Sequence, residues 1–238
     1  MLEIDSLKVR FDGVEALAGL TMSIPGGARI GVLGPNGSGK TTLFNAICGL
    51  VAIAGGTIRL DGQAISGLAP HQIAAAGVAR TFQSVRLFHR LSVLDNVLPI
   101  VGTTAARPHD AREAALAALD VAGLSAQRDI LAGDLGFFDQ RRLEIARAVA
   151  QRPRLLLADE PTGGLSQAES DQVVALINRA FGPDTAILLI EHQVAAVEAL
   201  CPRSLLLAEG RLVADAATSD MRRDRSLADV YFGTRLAH

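Results

Sequence analysis

The stretch "GPNGSGKTT", Gly34 to Thr42, constrains this 238-residue chain more than any other part of it. It matches G-x-x-x-x-G-K-[ST], with the apolar run "RIGVL" before it and the helical pattern "TTLFNAICGL" after it. A strand, a glycine-rich turn and a helix in that order make a phosphate cradle. Gly37 and Gly39 let the backbone curl so that successive N–H groups point inward, and the helix N-terminus adds its partial positive charge. The whole run of Gly34, Pro35, Asn36, Gly37, Ser38, Gly39, Lys40, Thr41 and Thr42 therefore reads as a nucleotide-binding loop. Lys40, one of only two lysines beside Lys8, supplies a point charge for the β- and γ-phosphates, and Thr41 offers a hydroxyl to Mg²⁺.

Other strands end in chemistry. "RLLLADEP" delivers Asp159 to the carboxyl edge of a sheet, where it can hold Mg²⁺ through water, and Glu160 beside it can polarise an attacking water. "LLIEHQ" puts His192 just after another apolar strand, within reach of a γ-phosphate. These near-continuous apolar strands, with "SLLLAEG", alternate with the helical stretches "SQAESDQVVALINRAF" and "QVAAVEAL", as in a parallel sheet buried on both faces. The N-terminal part reads as short strands with turns, and "GTIRLDGQAI" as a hairpin-like pair around Asp61-Gly62. Between about Leu91 and Ala150 the pattern turns helical, with a capping box at Ser92–Asp95 and a helical repeat ending at Gly123. An α/β core interrupted by a mostly helical subdomain is expected.

Composition narrows the setting. Hydrophobic residues make up 49 %, yet no apolar run approaches the ~20 residues of a membrane span. Charges begin at the third residue, where a signal peptide would need an apolar block, so a cytosolic chain is expected. A net charge of −2 argues against a nucleic-acid partner, which asks for a basic face. Cys48 and Cys201 lack metal-ligand spacing and read as buried free thiols.

In this order, with a helical insertion between cradle and acid, the motifs resemble the ATPase subunit of ATP-binding cassette (ABC) transporters over essentially the whole chain. The resemblance implies an α/β P-loop NTPase core of ABC type with a parallel sheet, an antiparallel β subdomain and an inserted helical subdomain. Residues 1–238 then form a single ABC ATPase domain, with 1–82 and 151–238 as the nucleotide-binding core and 83–150 as the helical subdomain. It implies ATP and Mg²⁺ as cofactors, with Glu160, His192 and Gln83 as catalytic groups and Thr41, Gln83 and Asp159 around the metal. Phe11 matches the aromatic that stacks on adenine. Gln83, in "ARTFQS", matches the glutamine that reaches metal and attacking water and reports to the membrane subunit. "GGLSQ", Gly163 to Gln167, matches the loop that crosses to a partner ATPase, with Ser166 where the family usually has aspartate; Ser166 also opens a capping box with Glu169.

Within the family, "VARTFQSVRLFHRLSVLDNVL", "QRRLEIARAVA", "LLIEHQV" and the terminal "VYFG" look like the branched-chain amino-acid importer group, which also serves urea and other small amide or amino-acid solutes. The ATPase of lipopolysaccharide export is similar in several of these stretches. Soluble family members in repair carry long coiled coils and those in translation two cassettes, and neither feature appears. The implied partners are integral membrane permease subunits, a second ABC ATPase subunit and, indirectly, a periplasmic solute-binding protein, with this chain peripheral on the cytoplasmic face of the membrane. Phe88, Leu91 and Leu94 among Arg86 and Arg90 read as the groove for a short permease helix.

One turn departs from the family. Where relatives read L-S-G-G-Q, this chain reads Leu135-Gly136-Phe137-Phe138-Asp139-Gln140. In the family this turn grips the γ-phosphate held by the partner's cradle, through a serine hydroxyl, glycine N–H groups and a helix N-terminus. Gly136 replaces the serine, Phe137 and Phe138 cover the glycines, and Asp139 adds a negative charge, so all four changes are expected to weaken the grip. Because the partner's turn completes this chain's own site, an asymmetric heterodimer with one impaired site is expected.

Overall fold

The computed structural model describes residues 1–102 and 108–223; the terminal "VYFG" lies outside them. Two sheets carry the chain. The first is antiparallel, in the order β2-β1-β4-β5: β1 (Leu2–Phe11), β2 (Val14–Ile24), β4 (Gly55–Leu60) and β5 (Gln63–Ala64). The second has six strands in the order β10-β9-β3-β8-β7-β6: β3 (Arg29–Leu33), β6 (Val78–Arg80), β7 (Leu155–Asp159), β8 (Ala186–Ile190), β9 (Arg203–Ala208) and β10 (Arg211–Ala217). All its pairings are parallel except the antiparallel edge pair β9–β10. Every residue of β7 and β8 is buried, as their apolar sequences, broken only by the terminal Asp159 of β7, require of strands covered on both faces.

Two apolar cores follow. One fills the space between the antiparallel sheet, helix α1 (Lys40–Ile47) and one face of the parallel sheet, around Leu7, Ile30, Phe44 and Leu188. The other joins the opposite face of that sheet to the helices α3 (Val93–Gly102), α4 (Pro108–Val121), α5 (Phe137–Ala150) and α6 (Gln167–Ala180). Each fully buried Leu or Ile there contributes about 1.5–3 kcal/mol by leaving water. Among the described residues three shorter α-helices remain: α2 (Pro70–Ala75), α7 (Val194–Leu200) and α8 (Thr218–Arg223). Helix starts follow local chemistry. Ser166 caps α6 with Glu169 returning the bond to the Ser166 N–H, and the Ser92 hydroxyl accepts from the Asp95 N–H at 3.0 Å as α3 begins.

Cys201 is buried and its thiol is pushed up to about 12, whereas Cys48 is half-buried. Leu94 is part of the helical core, because its position in the first turn of α3 points inward; Phe88 and Leu91 stay exposed. The expected groove therefore loses Leu94 as an anchor.

Candidate functional site

Four parallel strands, β3, β8, β7 and β6 in spatial order, end on one edge of the sheet, and each hands a loop to the same place. The loop after β3 is the cradle. Gly34 has φ 143 and its backbone runs so close to β9 that a Cβ would collide with the Leu207 carbonyl oxygen and the Ser38 hydroxyl. Gly37 has φ 80 with open space on its Cβ side, and Gly39, with φ 104, begins α1. Only glycine sits in these conformations without strain. The Lys40 ammonium folds back over the loop onto the carbonyls of Gly34 at 2.7 Å and Pro35 at 2.9 Å, which centres the charge within the ring of backbone. Burial lowers the Lys40 pKa, while the carboxylates of Glu160 and Asp159 oppose that shift. The Ser38 hydroxyl is buried with no hydrogen-bond partner. A cradle with inward backbone, one buried ammonium and an unmatched buried hydroxyl fits a nucleotide's phosphates.

The loops after β7, β8 and β6 meet on one carboxylate. Glu160 follows Asp159 in a left-handed conformation, φ 47, uncommon for a side chain of its size and typical of functional turns. Its Oε2 accepts from Gln83 Nε2 at 3.0 Å, and its Oε1 lies 3.0 Å from His192 Nε2. The three groups come from positions 83, 160 and 192, and the strand order brings their loops to one edge. Asp159 is held differently. Its Oδ2 accepts from Arg80 Nη2 at 2.8 Å, in an ion pair whose side chains are only 7 % and 6 % exposed. Arg80 also donates to Asn45 Oδ1 at 2.6 Å and lies over the rings of Phe82 and Phe44. Thr41 is exposed at the start of α1. Among the described residues no group of three or more His, Cys, Asp or Glu could hold a metal by itself. A hydroxyl, an amide and one carboxylate suit Mg²⁺, which takes few protein ligands and completes its shell with phosphate and water.

Phe11 ends β1 with 47 % of its surface exposed, so it is not a core residue. The Gly136 turn opens α5, with Gly136 itself at the cap and no side-chain cap bond. Here the structure corrects two expectations. Asp139 does not project a free charge: it pairs with Arg142 at 2.8 Å and accepts from Gln127 at 2.8 Å. Phe138 does not cover the turn: it packs on the helical core with Arg142 over its ring. Both follow from helical geometry, since the residue after N1 turns toward the neighbouring helix and an i, i+3 pair meets on one face. Gly136 and Phe137 remain on the outside, Phe137 at 47 % exposure with its ring against Gly164. Leu135 is buried, and its carbonyl accepts from Gln140 Nε2 at 3.0 Å.

Sequence reasoning passed over a buried link between this helix and the loop carrying Gln83. Arg141, fully buried, donates to the carbonyls of Phe82 at 2.7 Å and Gln83 at 2.9 Å and pairs with Glu144 at 2.8 Å. Glu144 in turn accepts from the Phe82 N–H at 3.0 Å. Burial raises the Glu144 pKa, and the Phe82 N–H and Arg141 oppose that rise. Beside them lies an open groove of about 520 Å³ lined in part by Arg86, Phe88, Ile100 and Arg147.

A parallel sheet whose edge gathers a glycine cradle, an acidic strand end and a histidine loop, with a helical layer attached, defines a nucleotide-hydrolysing cassette. The ABC transporter family model matches residues 17–163, and the chain belongs to that family as one of its ATPase cassettes. It is 36 % identical to the high-affinity branched-chain amino acid transport ATP-binding protein BraF of Pseudomonas aeruginosa, with 98 % of each chain covered. It is 29 % identical to the lipopolysaccharide export system ATP-binding protein LptB of Escherichia coli, covering 98 % of this chain and 97 % of that one. In fold it is similar to the ADP conformation of MJ1267, an ATP-binding cassette of an ABC transporter: TM-score 0.86, 24 % identity, 98 % of each chain.

Proposed function

We propose that this chain is the ATP-hydrolysing subunit of a membrane importer of branched-chain amino acids or similar small amino-acid or amide solutes, peripheral on the cytoplasmic face. The observation that carries the reading is the convergence of Gln83 and His192 on Glu160, each at 3.0 Å, beside the cradle that holds Lys40. The backbone of Gly34 to Gly39 and the Lys40 ammonium bind and orient the phosphates, and Phe11 receives the adenine. Glu160 takes the role of base for the attacking water, with Gln83 and His192 fixing its two oxygens. Thr41, Gln83 and Asp159 would hold Mg²⁺, which would supply neutralisation of the phosphate charge. The cassette acts with permease subunits, whose helix fits the groove beside Phe88, and with a second, different ATPase chain. BraF, at 36 % identity against 29 % for LptB, favours import over export.

The test is steady-state ATP hydrolysis by the purified chain, alone and reconstituted with its transporter. Lys40→Ala removes the phosphate cation and Glu160→Gln the base. Both are expected to lose at least about 100-fold in turnover, the scale of losing a positioned base. Only Lys40→Ala should also lose nucleotide affinity. Turnover in Glu160→Gln equal to wild type would sink the assignment of the base.

A further inference from the structure

We propose that Glu191, a buried carboxylate outside the catalytic set above, is a positioning residue that sets the distance between Glu160 and His192. The inference rests on the reading of those two groups as the hydrolytic pair. Glu191 directly follows β8 and is only 3 % exposed. Its Oε2 accepts from the backbone N–H of His192 at 2.8 Å and of Gln193 at 3.2 Å, both in its own loop. Its Oε1 reaches across to the neighbouring loop, accepting from the Thr162 N–H at 2.9 Å and from the Thr162 hydroxyl.

The consequence is geometric. β7 and β8 pair in parallel register up to Asp159 opposite Ile190, and the Glu160 N–H still bonds the Ile190 carbonyl at 2.8 Å. Beyond that point the two backbones part, one into the Glu160–Gly164 turn and the other into the His192 loop. The Glu191 carboxylate stitches the two together, one oxygen to each. Glu160 lies two residues from the Thr162 end of the stitch, and His192 sits immediately after Glu191. Four donors satisfy the buried negative charge, two of them at each oxygen. A carboxylate is needed there: an amide of the same shape presents an NH₂ group to one pair of donors, whichever way it is turned. A shift of about 1 Å in a catalytic pair can cost of the order of 100-fold in rate.

The experiment compares full-length wild type, Glu191→Gln and Thr162→Val, the last removing only the hydroxyl. Amide hydrogen exchange is read at Thr162, His192 and Gln193, ATP turnover is measured in the reconstituted transporter with Lys40→Ala as the blank, and affinity is taken with a fluorescent ATP analogue. In Glu191→Gln, exchange at the three amides is expected to rise at least about ten-fold while Leu157 and Leu189 within the strands stay protected. Turnover is expected to fall about 10- to 100-fold with nucleotide affinity held within about two-fold. Thr162→Val should lose about three-fold in turnover with the same unchanged affinity, and decides the matter should Glu191→Gln not fold. Unchanged exchange at the three amides, unchanged turnover in both variants, or a fall in affinity equal to the fall in turnover would overturn the proposal. Wild-type turnover no higher than the blank would instead overturn the hydrolytic reading, and the exchange arm would still decide whether Glu191 ties the loops.

Discussion

Arg80 links the acidic end of β7 to helix α1 beside the cradle. It is the cation opposite a nearly buried Asp159, and its fork divides between that carboxylate and Asn45. Removing one partner of a buried pair strands the other, at a cost of roughly 3–5 kcal/mol. Arg80→Met is therefore expected to lose about that much in urea unfolding, and the double variant Arg80→Met/Asp159→Asn to recover part of it, since the stranded charge is gone. Equal losses in the single and double variants would show that packing against Phe44 and Phe82, not the ion pair, is what matters. The contrast with the cradle shows what a sequence reveals at this scale. Gly34, Lys40, Asp159 and Glu160 stand in short motifs whose spacing reflects a local backbone, so the residues announce themselves. Arg80 bonds a residue 79 positions away, and Glu191 one 29 positions away, and no local spacing encodes either contact. Glu191 left a faint signal, an acid closing a wholly apolar strand, but His192 beside it drew the reading.

At the scale of elements, α5 does two jobs with one face each. Its N-terminal turn exposes Gly136 and Phe137, while its buried stripe places Arg141, Glu144, Ile145 and Ala148 at i, i+3, i+4 and i+7. Two opposite charges at i, i+3 on an otherwise apolar stripe were visible in "QRRLEIARA" as a breach of the helical pattern. The helix was legible; what the charges grip was not, because Phe82 and Gln83 lie beyond any local window. Glu144 holds the Phe82 N–H and Arg141 the carbonyls of Phe82 and Gln83, so the helix and the Gln83 loop are tied together. Glu144→Gln leaves Arg141 buried without its counter-charge. It is expected to cost about 3 kcal/mol, or roughly 6–12 °C in Tm for a chain of this size. Differential scanning calorimetry checks it; a shift under about 2 °C would mean that the two backbone carbonyls alone satisfy Arg141. Ser166→Ala, which removes only the α6 cap, should cost about 1 kcal/mol, a useful scale for comparison.

For the whole molecule, strand order does what no motif can: it carries residues 40, 83, 160 and 192 to one sheet edge and leaves the Gly136 turn on the helical layer. On the pairing that the family resemblance implies, that turn would serve the partner's phosphates, and the partner's turn would serve Lys40. With Asp139 neutralised by Arg142 and Phe138 packed inward, the burden of an impaired turn falls on Gly136 and Phe137. The double glycine variant at 137 and 138 would mix a surface change with a core cavity, so Phe137→Gly alone is the clean probe. Its loss from the helix start, from Gly164 and from the Arg141 guanidinium 5.7 Å from the ring should cost this chain's own fold about 1–2 kcal/mol, the usual cost of glycine in a helix plus a cation–π contact. In the reconstituted transporter, Phe137→Gly is expected to raise turnover at the partner's cradle. Lys40→Ala silences this chain's own cradle, so the gain should persist in the double variant Lys40→Ala/Phe137→Gly. Silencing the partner's cradle lysine should instead abolish the gain. ATP hydrolysis in these combinations reads the outcome directly. A gain that vanishes with Lys40 and survives loss of the partner's lysine would mean that the ring acts on its own chain's site through Gly164, and the asymmetric pairing would fall.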